Sequence, residues 1–305
     1  MIRGTQDAGR GTQDRVLWIA FVAVFLLLWA LLYACLPALR YLGRRLTHVV
    51  ARSARINELV DKHKAWLPVA VIVIAGALLT AWAGDQFLDL AESVHAKSPA
   101  LQKIDNGVHD WAVAHRSASD TLFFAVTSNV GSPVGVAVLV AVICVMLAFL
   151  RRWRWVAYLA VTVGGGELLD IELKSYFARA RPAMAEMLRK AHGYSFPSGH
   201  AMGSAVAFGA LAYLAYRAAK SWPAAAAALA FALTFVLSVA LSRVYLGVHW
   251  ISDVAAGVTA GLLWVTVTTC AYETVRRIRH LRGLRASRLP APSAASTDRG
   301  PSVRS

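Results

Sequence analysis

The chain has 305 residues, 57% of them apolar and only 16% charged, with a mean hydropathy of +0.51 and a formal charge of +15. Soluble domains carry about 25% charged residues, so a water-soluble globule is excluded. The Lys and Arg flank apolar runs instead of forming one stripe, which argues against a nucleic-acid partner.

Runs of about 20 apolar residues cross a bilayer as helices. Seven are predicted, at 16–39, 66–84, 133–150, 155–173, 201–216, 223–242 and 250–272. Residues 1–15 form a short polar lead. The first run is too long for a signal-peptide core, lacks a cleavage site and reads as a retained span. Residues 40–65 read as a basic helix lying along the membrane face. The segment 85–132 is the longest between spans, and its helical periodicity suits the bilayer surface. His95, His109 and His115 within it lack ligand spacing and read as surface or lid residues. The triplet Gly164-Gly165-Gly166 permits close helix packing, and Asp170 and Lys174, four apart, suit an ion pair on one helix face. Trp18, Trp66, Trp82, Trp153 and Trp250 lie near span ends, as an aromatic belt does. Cys35, Cys144 and Cys270 all fall inside apolar runs, with neither metal spacing nor a disulfide framework. After about 283 the chain is rich in Pro, Ser and Ala and is expected to be disordered.

Charge orients this bundle, because Lys and Arg collect in cytoplasmic loops. Segments 40–65, 151–154, 217–222 and 273–289 hold 18 of them, against 12 in 1–15, 85–132, 174–199 and 243–249. The first set is therefore expected in the cytoplasm, the N-terminus outside and the C-terminus inside. Basic flanks also attract anionic membrane lipids.

Three separate stretches then reach the outer face: "KSYFARARP" from Lys174, "PSGH" from Pro197, and "SRVYLGVHWISD" from Ser242. Ionisable residues at membrane depth are costly and usually functional. Lys174, Arg181 and Arg243 are cations without a matching trio of carboxylates, and Arg forks phosphate oxygens while Lys acts as a point charge. Ser198 and Gly199 stand where a helix begins, with free amides and the positive end of the dipole. Together these parts describe a phosphate cradle.

The histidines suggest the reaction. His249 and Asp253 are four apart and share a helix face, so the carboxylate can fix one ring nitrogen and leave the other as a nucleophile. His200 can donate a proton to the leaving oxygen. No metal or cofactor is required by this scheme, since Lys and Arg neutralise the phosphoryl oxygens.

These stretches resemble the signature of the type 2 phosphatidic acid phosphatase superfamily. Its pattern is Lys, six residues, Arg-Pro; then Pro-Ser-Gly-His; then Ser-Arg, five residues, His, three residues, Asp. Lys174, Arg181-Pro182, Pro197-Ser198-Gly199-His200, Ser242-Arg243, His249 and Asp253 fill all eleven fixed positions. The resemblance implies an all-α transmembrane bundle: a six-span phosphatase core at 66–275, preceded by an extra N-terminal span at 1–65 and followed by a basic tail at 276–305. It implies a lipid phosphatase with His249 as nucleophile, Asp253 as its partner, His200 as acid, and Lys174, Arg181, Ser198, Gly199 and Arg243 on the phosphate. The implied substrates are phosphatidic acid, phosphatidylglycerol phosphate and undecaprenyl diphosphate, with a lean to the last or to a broad enzyme. A lipid phosphotransferase with the same site, or a non-catalytic protein that binds or moves anionic lipid, are the alternatives. Oligomeric state is not readable.

Overall fold

The structure is a computed structural model describing residues 16–50, 67–183 and 186–286. Among the described residues the elements are nine helices: α1 (Val16–Val50), α2 (Leu67–His95), α3 (Pro99–Ala114), α4 (Ala118–Val130), α5 (Pro133–Phe149), α6 (Trp153–Phe177), α7 (Gly199–Ala218), α8 (Trp222–Tyr245) and α9 (Ile251–Ala286). The short polar lead, most of the basic segment after residue 50, Trp66 and the tail beyond 286 lie outside the described residues.

Stretches in α1, α2, α8 and α9 are long and apolar enough to cross a membrane, and α4 with α5 makes a fifth if that pair, bent by 52°, is one span. The chain is a multi-pass membrane protein. The seven predicted runs are all helical, but α6 and α7 are less apolar than a lone lipid-facing span. Helix α6 carries Glu167, Asp170, Glu172 and Lys174 in its last three turns. Helix α7 is the central helix, with nine buried residues, five of them Ala. A helix surrounded by protein gains from small residues that let backbones approach, not from bulk that meets lipid.

Side-chain contacts fix the direction of each helix. Cys270 of α9 lies against Ile72 and Gly76 of α2, while Ala256 of α9 packs in one cluster with Phe87 and Ala91, so α2 and α9 are antiparallel. Helix α1 runs along α8 the other way, through Phe21 on Phe231 and Trp29 Nε1 donating to the Pro223 carbonyl at 3.1 Å. The apolar window of α1 has no buried residue, so this helix is peripheral and faces lipid. The bend between α4 and α5 has local causes. Gly131 ends α4, Ser132 caps α5 by accepting from the Gly135 amide at 3.0 Å, and Pro133 opens its first turn.

The tightest crossing joins α7 to α9. A Cβ on Gly257 would stand 2.6 Å from the Ser198 carbonyl oxygen, and one on Gly261 would stand 2.8 Å from that of Met202. The spacing Gly257-x-x-x-Gly261 lets two helix backbones touch. The glycine triplet of α6 acts similarly: a Cβ on Gly165 would meet the Trp264 ring at 2.4 Å and one on Gly166 would meet Val206 at 3.1 Å, whereas Gly164 faces open space.

Four expectations change. Helix α1 continues to Val50, so the start of the basic segment extends the first span. Helix α9 continues to Ala286, past the expected core boundary at 275 and into the segment expected to be disordered. Helix α3 does not simply rest on a surface, since Asp105, His109 and Ala112 are buried. His109 is accordingly a packed residue, while His95 and His115 are exposed as expected.

Replacing Gly257 by Val should lower the thermal unfolding midpoint in detergent by the equivalent of about 1–3 kcal/mol, the usual cost of overpacking, because a backbone carbonyl cannot step aside. Gly164→Val, on an open face, should leave the midpoint nearly unchanged.

Candidate active site

One end of the bundle collects the polar residues. Lys174 closes α6, which terminates at Ala178 in a left-handed conformation (φ 44°). That turn sends the chain across the end of the bundle as an irregular segment carrying Arg179, Arg181 and Ser195. The segment delivers Ser198, Gly199 and His200 to the start of α7. Arg243 lies at the end of α8, and His249 and Asp253 straddle the start of α9. The three stretches singled out in the sequence therefore converge.

His249 and Asp253 form the buried centre, 2% and 0% exposed. Nδ1 of His249 lies 3.5 Å from Asp253 Oδ2 and 3.4 Å from Ser195 Oγ. Ser195 donates its own hydroxyl proton to Asp253 Oδ2, so its oxygen is free to accept from Nδ1–H. Across the ring, Arg181 Nη1 donates to Nε2 at 3.0 Å. A guanidinium only donates. Nε2 is therefore the unprotonated nitrogen, and its lone pair points toward the cations. Burial pulls the His249 pKa down to about 4, against the opposing pull of Asp253.

Arg181 is more heavily engaged than a free phosphate ligand. Its Nε donates to the Gly193 carbonyl, Nη1 to that of Val248, and Nη2 to those of His192 and Tyr194. With the bond to His249, all five N–H groups have partners. Lys174 is likewise paired, at 2.5 Å from both oxygens of Asp170, the ion pair expected from their spacing. Both groups press on the start of α7: a Cβ at position 199 would stand 2.5 Å from Asp170 Oδ2 and 2.8 Å from Lys174 Nζ. Any side chain there would have to push the Asp170–Lys174 pair aside. Arg243 donates to Ser128 Oγ of α4, and its buried Nε has no hydrogen-bond partner among the described residues. The Ser198 hydroxyl is also buried and unpartnered among them, while its amide donates to the Asp253 carbonyl at 2.9 Å.

His200 makes no side-chain hydrogen bond among the described residues. Burial first, then the positive charge of Arg243 and more weakly of Lys174 and Arg181, hold its pKa far below the ordinary histidine value. Burial thus disfavours the charged form of both imidazoles.

A second layer was not legible. Arg179 joins Asp253 Oδ1 at 2.6 Å to Asp105 Oδ2 at 2.7 Å. Asp105, from α3, also accepts from the Ser252 amide and hydroxyl. The Arg179 guanidinium lies over the Trp250 ring, 5.9 Å from its centroid; that ring also packs on His109 and donates its Nε1–H to the Ala180 carbonyl at 3.1 Å. His109 in turn pairs with Glu186 at 2.7 Å. Trp250 therefore belongs to the site's wall and not to an interfacial belt, in contrast to the exposed Trp18, Trp82 and Trp153. A two-residue spacing from Arg181 was the only hint of Arg179, and nothing in the sequence around Asp105 pointed to it.

Comparison with known proteins gives the family. Residues 153–277 match the model of the PAP2 superfamily, the type 2 phosphatidic acid phosphatases. The chain is 30% identical over 198 residues to phosphatidylglycerophosphatase B of Bacillus subtilis (strain 168), covering 63% of this chain and 94% of that one. It also superposes on the crystal structure of the transmembrane PAP2-type phosphatidylglycerolphosphate phosphatase from Bacillus subtilis, with a TM-score of 0.60 and 28% identity, over 66% of this chain and 98% of the other.

The substitution Asp105→Asn keeps the shape and removes the charge that Arg179 shares. It should lower stability by about 1–3 kcal/mol, the range for a charged hydrogen bond lost in a buried setting, read as the unfolding midpoint in detergent. Asp110→Asn on the exposed side of the same helix should not.

Proposed function

The chain belongs to the PAP2 superfamily, and from that premise we propose that it is a lipid phosphate phosphatase acting through a phosphohistidine on His249. The observation that carries this reading is the fixed tautomer: Asp253 and Ser195 occupy the Nδ1 side, and the lone pair of Nε2 faces the cations. A protein that only gripped anionic lipid would gain nothing from an oriented, neutral imidazole.

In the first step Nε2 attacks phosphorus and the bond from phosphorus to the lipid oxygen breaks. His200 gives that oxygen its proton. Because His200 is neutral beforehand, its proton arrives with the substrate: the phosphate charge offsets Arg243, Lys174 and Arg181, and the monoester's own dissociable proton supplies the site. Arg181 turns one Nη1–H from His249 to a phosphoryl oxygen. Arg243 Nε and the Ser198 hydroxyl, the two unpartnered donors, complete the cradle with the first amides of α7. Water then attacks the phosphohistidine with His200 as base, releasing inorganic phosphate. The three cations do the neutralising that a metal does elsewhere, so the reaction is read as metal-independent.

On substrate, the relatedness to phosphatidylglycerophosphatase B favours phosphatidylglycerol phosphate, ahead of undecaprenyl diphosphate, which the sequence alone had favoured, and phosphatidic acid. A lipid hydroxyl replacing water in the second step would make the same site a phosphotransferase. The basic residues at the far ends of α6, α7 and α9 support an extracytoplasmic site in the plasma membrane, with the N-terminus outside and the C-terminus in the cytoplasm.

The full chain, purified in detergent with chelator, should release phosphate from phosphatidylglycerol phosphate fastest in a panel of these three lipids. His249→Ala should abolish release, and vanadate, a five-coordinate mimic of the transition state, should inhibit. No release from any lipid would return the reading to a binding protein, and a His249→Ala enzyme as active as wild type would remove the phosphohistidine.

The pH dependence has a defined sign. The nucleophile is the neutral imidazole, and its pKa lies near 4. After correction for the substrate's own ionisation, kcat/KM should hold as pH falls through 6.5 and drop only toward pH 4. The uncorrected profile should fall on the alkaline side as the substrate loses the dissociable proton that His200 must carry, and the correction should flatten that limb. An acid limb centred near 6.5 would contradict the buried, desolvated ring.

A further inference from the structure

The opposite end of the bundle holds a second polar concentration. Arg217 follows His200 by 17 residues on α7, which at 1.5 Å per residue is roughly 25 Å along the axis. There α2, α7, α8 and α9 enclose a cavity of about 660 Å³ in which Arg217, Lys220 and Arg277 face a single carboxylate, Glu273. Glu273 is 7% exposed and already satisfied. It accepts from Tyr213, from Arg217, and from Nε and Nη2 of Arg276. Arg277 Nε stands 3.6 Å from it, and this buried nitrogen has no hydrogen-bond partner among the described residues. Lys220 is exposed at the rim. Positive charge in this pocket therefore exceeds what the protein neutralises.

The same walls continue into an apolar groove. Tyr213, Tyr216, Trp222, Ala225, Thr269 and Cys270 line the polar cavity and also an adjoining one of about 650 Å³, which is completed by Leu79, Leu229 and Val265 among others. A basic pocket opening directly onto a hydrocarbon-lined cleft matches one kind of molecule, with an anionic head and an acyl tail. The chain's own segments outside the described residues, 51–66 and 287–305, each carry more Lys and Arg than Asp and Glu. Charge complementarity favours a lipid over either of them.

We infer that this far end is a second lipid site, which holds an anionic phospholipid with its head group on Arg217, Lys220 and Arg277 and one chain in the cleft between α2 and α8. It shares no residue with the histidine site, and its occupant need not carry a phosphomonoester.

Native mass spectrometry of the full chain, after exposure in detergent to phosphatidylserine or to phosphatidylcholine of matched chains, tests this without any activity readout. Phosphatidylserine is neither substrate nor product of a phosphomonoesterase. Wild type should retain phosphatidylserine over phosphatidylcholine. Lys220→Gln with Arg277→Gln should reduce that preference by about fivefold per cation removed. Leu229→Trp, which fills the cleft, should reduce retention of both lipids. Unfolding midpoints close to wild type would establish that the variants fold. Equal retention of the two lipids by wild type, or an unchanged preference in the double variant, would overturn the proposal. So would the absence of retained lipid altogether, which would point to the chain's own segments as the occupant.

Discussion

Everything at the polar end depends on how closely α7 approaches α9. His200 lies at the start of one helix and Asp253 at the start of the other, and these two helix starts approach because Gly257 and Gly261 present bare backbone to the carbonyls of Ser198 and Met202. Helix axes ordinarily pack 8–10 Å apart, and side chains at these two positions would force the α7 start away from the α9 start. Within a membrane no solvent-driven force holds helices together, so close van der Waals fit and polar contacts must do it. The amide of Ser198 on the Asp253 carbonyl is the polar member of that fit. It ties the start of α7 directly to the residue that pairs with His249.

The second constraint is the crowding around one carboxylate. Asp253 is wholly buried, and a lone buried charge would be strongly unfavourable. It is tolerated because Arg179, Ser195, the Trp250 amide and His249 all converge on its two oxygens. Arg179 is in turn fixed by Asp105, so helix α3, which spans nothing, is built into the site's foundation. Such networks are strong when every member is satisfied and weak when one is missing. Two buried donors without a partner among the described residues, Ser198 Oγ and Arg243 Nε, lie outside that set of contacts.

How far the sequence revealed this varies with the range of the interaction. His249 with Asp253, and Lys174 with Asp170, are four residues apart, and helix periodicity alone brings each pair together. The apolar runs were likewise visible, because a lipid-facing helix must be apolar along its length. The Gly257-x-x-x-Gly261 spacing was present in the sequence as a signal for close packing but was overlooked beside the more conspicuous glycine triplet. Asp105 and Arg179 are separated by 74 residues. Their partnership is set by the docking of α3, and no local pattern encodes it. His109 looked like a surface residue for a related reason: whether one face of a short amphipathic helix meets water, lipid or protein is decided by its neighbours. The extra length of α1 and α9 carries no apolar signal, because long Lys and Arg side chains let a helix leave the bilayer without stopping.

Arg181 carries an implication for timing. With every donor engaged, it can meet a newcomer only by giving up a bond it already makes, and the one to His249 is the bond the proposed reaction needs released. In that reaction, unmasking the ring nitrogen and capturing the incoming oxygen anion would be a single exchange. An uncharged electrophile that drifts in from the hydrocarbon would have nothing to offer the guanidinium and would meet a capped ring. The latch would then make reactivity conditional on negative charge, a form of chemical discrimination that operates before any contact with the lipid's glycerol or tail.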